Sequence, residues 1–103
     1  MKKNNVKVEI IVHLECKNGL NLNLEEMVKY YFSGNKEYSL DIIGTYRSIN
    51  NEVELYSVMN TIGSYEDNLG KLRDLHFKLE ELLKNNSIKY NGMSLVPNKV
   101  KWN

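Results

Sequence analysis

Between Val6 and Cys16 the chain alternates. Val6, Val8, Ile10, Val12, Leu14 and Cys16 stand on every second position, and Lys7, Glu9, Ile11, His13 and Glu15 fall between them. Successive side chains of a strand point to opposite faces, so a period of two predicts a half-buried β-strand. The Lys-Asn-Gly at 17–19 turns the chain. The period then changes: Leu24, Met27, Val28 and Tyr31 recur at the three-and-four spacing of one helix face. Asn23 is placed to cap that helix, with Glu26 closing a capping-box-like pair and Leu22 and Met27 spaced for a hydrophobic staple. Gly34 suits the left-handed position just past its end.

Two further strands are predicted over about 38–47 and 52–62, joined at Asn50-Asn51, since Asn tolerates the positive φ of a two-residue hairpin loop. That register sets Arg47 opposite Glu54, a favourable charge pair. It places Leu40, Ile42, Tyr46, Val53, Leu55 and Met59 on one face and Ile43, Thr45, Tyr56 and Val58 on the other, and a slip of one residue would exchange the two sets. A long helix comes next, capped by Ser64 with Asp67 three positions on and Glu66 at the positive end of its dipole. Leu69, Leu72, His76, Leu79 and Leu83 form its apolar stripe, widened by Leu75 and Leu82. Gly70 weakens the helix by up to ~1 kcal/mol, which points to close packing against a neighbour. The run Ser-Ile-Lys-Tyr at 87–90 reads as a strand, Asn91-Gly92 as a type I′ turn, and Met93–Val96 as a returning strand. Pro97 restricts the last residues to a sheet edge, so 97–103 reads as an edge strand or a frayed tail in which Lys99 and Lys101 alternate with Val100 and Trp102.

The order strand, helix, strand, strand, helix, strand, with right-handed crossovers, predicts an α+β fold: a ferredoxin-like βαββαβ two-layer sandwich. It has a four-stranded antiparallel sheet and two helices on one face. The 103 residues are the size of one domain, 1–103. Two helices with one apolar stripe each cover only one sheet face. The other face of an antiparallel sheet is normally polar, yet here it would display Ile11, His13, Ile43, Thr45, Tyr56 and Val58. These six are the candidate partner interface, because a contiguous exposed apolar patch marks an interaction site more often than scattered hydrophobes do. His13 could add a charge to such an interface that depends on pH.

Composition narrows the function classes. Apolar residues make up 42% and charged residues 26% of the chain, a globular balance. A net charge of +1 argues against a partner bound mainly by electrostatics, whether nucleic acid or an anionic membrane. The Lys/Arg-Gly-aromatic signature of RNA-stacking sheets is also missing. With one cysteine, Cys16, no internal disulfide can form, and a buried hydrophobic role in a cytoplasmic protein fits best. The lysines before the first apolar run resemble a signal peptide, but Lys7, Glu9 and His13 interrupt that run and it reads as mature structure. No segment approaches the length of a membrane span.

Two distant histidines and one cysteine supply no metal-ligand cluster, no cofactor is indicated, and no nucleophilic triad is recognisable. The turn Lys-Asn-Gly-Leu-Asn-Leu-Asn-Leu-Glu-Glu ends in glutamates that would repel phosphate. His76, on the helix stripe, reads as a boundary histidine with one hydrogen bond.

The element order is similar to that of small-molecule-sensing ACT modules, and Lys17-Asn-Gly-Leu20 is similar to their ligand loop. That resemblance implies a ligand-sensing dimer with its effector held between two copies. The first expectation is instead a non-enzymatic protein that docks on a protein partner or a second copy of itself. It would be of inhibitor, immunity or anti-defence type, and the Asn-, Lys-, Ile- and Tyr-rich composition suits a phage or mobile element with an AT-rich genome. An enzyme would have to assemble dispersed groups such as His13 and Asp41.

Overall fold

A computed structural model describes residues 5–16, 24–48, 50–63 and 65–96. They form β1 (Asn5–Glu15), α1 (Leu24–Phe32), β2 (Ser39–Arg47), β3 (Glu52–Ile62), α2 (Tyr65–Asn85) and β4 (Lys89–Leu95). The four strands make one sheet in the order β2-β3-β1-β4, and each neighbouring pair is antiparallel. The class is α+β. Strand β3 lies between β1 and β2, and β1 lies between β3 and β4, so each strand-helix-strand crossover passes over one strand.

The alternation of β1 is spent on the core. Ile10, Val12, Leu14 and Cys16 are buried, as are Val53, Leu55 and Met59 of β3 and Leu40 of β2. Leu24, Val28 and Phe32 of α1, with Leu72, Leu75, Leu79, Leu82 and Leu83 of α2, complete the same cluster. Both helices therefore pack against one sheet face. Burying each of these large side chains contributes roughly 1.5–3 kcal/mol before conformational entropy is subtracted.

The helices differ in detail from the expected stripes. In α1 the buried line runs Leu24, Val28, Phe32, a strict i, i+4, i+8 row, with Met27 partly packed and Tyr31 exposed. Gly34 does not adopt a positive φ. The chain instead leaves α1 through an Asn35 turn, whose side-chain carbonyl accepts from the Glu37 and Tyr38 amides at 2.8 and 3.1 Å. In α2 the stripe begins at Asn68, which is buried, while Leu69 faces solvent. The first turn is rotated by one residue from the sequence expectation, because the row that meets the sheet is 68, 72, 75, 79. A Cβ at Gly70 would touch nothing within 4 Å, so close packing is not its reason. Helix α2 ends with Ser87 at φ 60: the Ile88 amide donates to the Leu83 carbonyl (2.9 Å) and the Ser87 amide to the Lys84 carbonyl (3.1 Å). These are the paired bonds of a Schellman cap. The expected caps Asn23 and Ser64, the staple residue Leu22, and the turn at 17–19 lie outside the described residues.

Two irregularities control the sheet faces. The hairpin between β2 and β3 has three loop positions rather than two. The Ser48 amide donates to the Glu52 carbonyl at 2.8 Å, and Asn51 takes φ 66. Arg47 consequently faces Val53, and Glu54 faces Tyr46. Between Ile42 and Gly44 the register shifts by one: Ile42 pairs with Ser57 and Gly44 with Tyr56, so Ile43 is the extra residue of a β-bulge. The second bulge is in β4. Leu14 pairs with Tyr90 and Val12 with Met93, leaving Asn91 and Gly92 opposite His13, with Gly92 at φ 99. The Asn-Gly dipeptide thus bulges one continuous strand instead of folding a hairpin. Its positive-φ glycine serves either structure.

Candidate functional site

The helices leave the other sheet face open, and the register orders it into rows. In the central row Ile43 and Gly44 of β2 stand beside Tyr56 of β3, Ile11 of β1 and Ser94 of β4. On one side the next row is Asp41, Val58 and Glu9; on the other it is Tyr46, Glu54 and His13. Ile43 is 68% exposed and Tyr46 60%, while Ile11, His13 and Val58 are half-buried between their neighbours. The Val96 amide donates to the Glu9 carbonyl at 3.0 Å. Val96 lines a shallow depression of about 240 Å³ with Ile43, Tyr56 and Val58.

Five of the six expected interface residues, Ile11, His13, Ile43, Tyr56 and Val58, share this face. Thr45 does not. It pairs with Leu55, on the buried side, and its hydroxyl donates to Glu25 Oε2 of α1 at 2.7 Å. The bulge at Ile43 is the physical reason. One extra residue reverses the side on which later side chains emerge, so Thr45 turns toward the helices and Tyr46 joins the open face. Gly44, a lone glycine inside a strand, was the available signal for that bulge. Val96 is the other residue missed, carried to this face by the bulge at Asn91-Gly92.

Polar contacts fix several of these groups. The Tyr56 hydroxyl donates to Glu54 Oε1 at 3.0 Å, and that bond to a carboxylate raises the phenol above its usual range. His13 Nε2 lies 2.9 Å from Ser94 Oγ, and its Nδ1 lies 3.9 Å from Glu54 Oε2. Asn60 Nδ2 donates to Asp41 Oδ2 at 2.8 Å. Among the described residues, taken by register, the face carries the carboxylates Glu9, Glu15, Asp41, Glu52 and Glu54 against the lysines Lys7 and Lys89. Asn91 Nδ2 donates to Glu15 Oε2 at 3.2 Å, and Lys89 Nζ lies 4.0 Å from the same oxygen.

The rest of the described surface offers less. A groove of about 450 Å³ at the sheet end is lined by Lys7, Lys36, Glu37, Tyr38, Asn60 and Thr61 among others, and is open to solvent. His13 and Asp41 stand two strands apart and four positions apart along the strands, too distant to act on one bond. His76 Nδ1 is 2.7 Å from the Tyr90 hydroxyl, a boundary contact. Among the described residues no group of three or more His, Cys, Asp or Glu could hold a metal ion, and no helix is long and apolar enough to cross a membrane. The loop Lys17–Leu20, the basis of the ACT resemblance, and the segment 97–103 lie outside the described residues. No protein-family model, curated protein or solved structure matches this chain.

Proposed function

We propose that this chain is a small non-enzymatic docking protein that binds a protein partner through the open face of its sheet, in the manner of an inhibitor or immunity protein. The observation that carries this reading is the apolar row Ile43, Tyr56, Ile11 and its neighbours Val58, Tyr46 and Val96 on a face that neither helix covers. Such a patch on a solvated antiparallel sheet is unfavourable unless something occupies it. The scaffold is read as ferredoxin-like, supported by the two interleaved crossovers. Carboxylates around the patch oppose a phosphate backbone and so favour protein over nucleic acid. They also oppose a second copy placed face to face, because like charges would meet across the join.

The test is affinity capture from the native host with the wild-type chain, Ile43→Asp and Gly70→Ala. The reading expects a protein recovered by wild type and by Gly70→Ala, whose change lies at an exposed position of α2 away from the open sheet face, and lost with Ile43→Asp. Recovery that is indifferent to Ile43→Asp would remove it.

A further inference from the structure

Resting on that reading, we propose that the occupant of the open face is a basic and apolar segment of a partner protein, one in which lysine or arginine side chains flank apolar ones. The arrangement of charge carries this. Val58 stands directly between Asp41 and Glu9 across the strands, and Glu54 stands between Tyr46 and His13. An apolar side chain seated in the depression of Ile43, Tyr56, Val58 and Val96 would bring its neighbours within reach of carboxylates on both sides. Cations at those positions are attracted; anions are repelled. Among the described residues the face carries five carboxylates and two lysines, so a side chain entering the depression meets more negative than positive charge around it.

A second copy is disfavoured on the same grounds: it would set one acidic face against another. The chain's own 97–103, with Lys99, Val100, Lys101 and Trp102, has suitable chemistry and adjoins Val96 directly, so the experiment must separate it from a partner.

The experiment is a titration of the full chain, monitored by amide chemical shifts, with a blocked peptide alternating lysine and leucine. The control peptide carries glutamate in place of lysine. The expected result is shifts concentrated on Ile11, Tyr56, Val58 and Val96 with the lysine peptide, and binding at least about tenfold weaker for the glutamate peptide. The double variant Glu9→Gln, Asp41→Asn should weaken the lysine peptide by about tenfold as well, since two attractive charges are removed. Equal binding of the two peptides, no dependence on Glu9 and Asp41, shifts centred elsewhere, or no binding at all would each overturn the inference. If capture of a host protein still depended on Ile43 in that case, the docking reading would survive and only the partner's chemistry would fall.

Trp102 is the chain's one tryptophan, and neither peptide contains any, so its emission separates the remaining occupants. A change in that emission when the lysine peptide binds, or in Val58→Asp without peptide, would identify the chain's own C-terminus as the occupant and overturn the inference. So would a dimer in light scattering that Val58→Asp dissociates.

Discussion

The Tyr38 hydroxyl donates to Asp74 Oδ2 at 2.8 Å, joining the start of β2 to the middle of α2. On the opposite sheet edge Tyr90 of β4 reaches His76 of the same helix at 2.7 Å. Between these ties Lys71 Nζ donates to Thr61 Oγ1 and to the Ile62 carbonyl, at 2.8 and 3.0 Å. Helix α2 is thus held to both edge strands by phenols whose rings are partly withdrawn from water. The open face depends on this arrangement, because a sheet roofed firmly on one side can leave its other side free.

Burial, and then the neighbouring Asp74, raise the Tyr38 phenol above its usual range. Burial, and then Glu80, push Tyr90 up to about 12. A raised folded-state pKa means that the folded chain keeps a proton which the unfolded chain releases. The associated stability is therefore complete below about pH 10, the ordinary phenol value, and is lost as pH rises toward about 12. Urea midpoints should hold between about pH 8 and about pH 9.5 and then fall. Tyr38→Phe and Tyr90→Phe should each flatten that fall while lowering stability at neutral pH by about 1 kcal/mol for the lost hydrogen bond. The same alkaline slope in the double Phe variant as in wild type would refute the assignment.

Asn68 is 1% exposed, and among the described residues neither its side-chain nitrogen nor its side-chain oxygen has a hydrogen-bond partner. A buried amide left unpaired costs about 1–3 kcal/mol. Leucine is close to asparagine in shape and would extend the row Leu72, Leu75, Leu79 by one turn. Asn68→Leu should therefore stabilise the chain by about 1–2 kcal/mol, raising Tm by roughly 4–8 °C for each kcal/mol in a domain of this size. A lower Tm would mean that the site is too tight for the branched side chain.

Much of the fold could be read from periodicity. The alternation of β1 gave its buried set correctly, because a strand with one wet face has only one way to place Ile10, Val12 and Leu14. The existence and kind of all six elements came similarly from spacing and turn residues. What periodicity cannot show is an extra residue. The bulge at Ile43 reversed Thr45 and Tyr46, and the bulge at Asn91-Gly92 turned an expected hairpin into one strand. Both are choices made by strand pairing, which is long-range, among local sequences that allow either outcome. The α2 stripe failed at its first turn for a related reason. Hydrophobicity favours Leu69 over Asn68, but the angle at which the helix meets the sheet decides which residue turns inward.

Gly70 sits within α2, exposed, and a Cβ there would meet nothing within 4 Å. The remaining effects of glycine are backbone entropy in the unfolded chain and weak helix propensity. Gly70→Ala should stabilise the protein by about 0.5–1 kcal/mol, seen as a higher urea midpoint with an unchanged slope. Since nothing packs on this position, the same variant should leave docking through the sheet unchanged. That is why it serves as the control for Ile43→Asp.

The placement of Ile43 and Tyr46 on the wet face can be tested by stability alone, before any partner is known. Both are more than half exposed, whereas Leu55, one residue from Tyr56 in β3, is fully buried. Exposed positions tolerate polar replacement within about 1 kcal/mol, while a polar group in place of a buried leucine loses apolar burial and leaves an unpaired hydroxyl, at about 3 kcal/mol or more. Ile43→Asp and Tyr46→Ser should therefore melt close to wild type, and Leu55→Ser should melt far below it or fail to fold. The register without the bulge makes the opposite forecast for Tyr46, since it sets that ring in the core beside Leu55. A large destabilisation in Tyr46→Ser would thus restore the unbulged strand, return Thr45 to the open face, and remove Tyr46 from the docking surface.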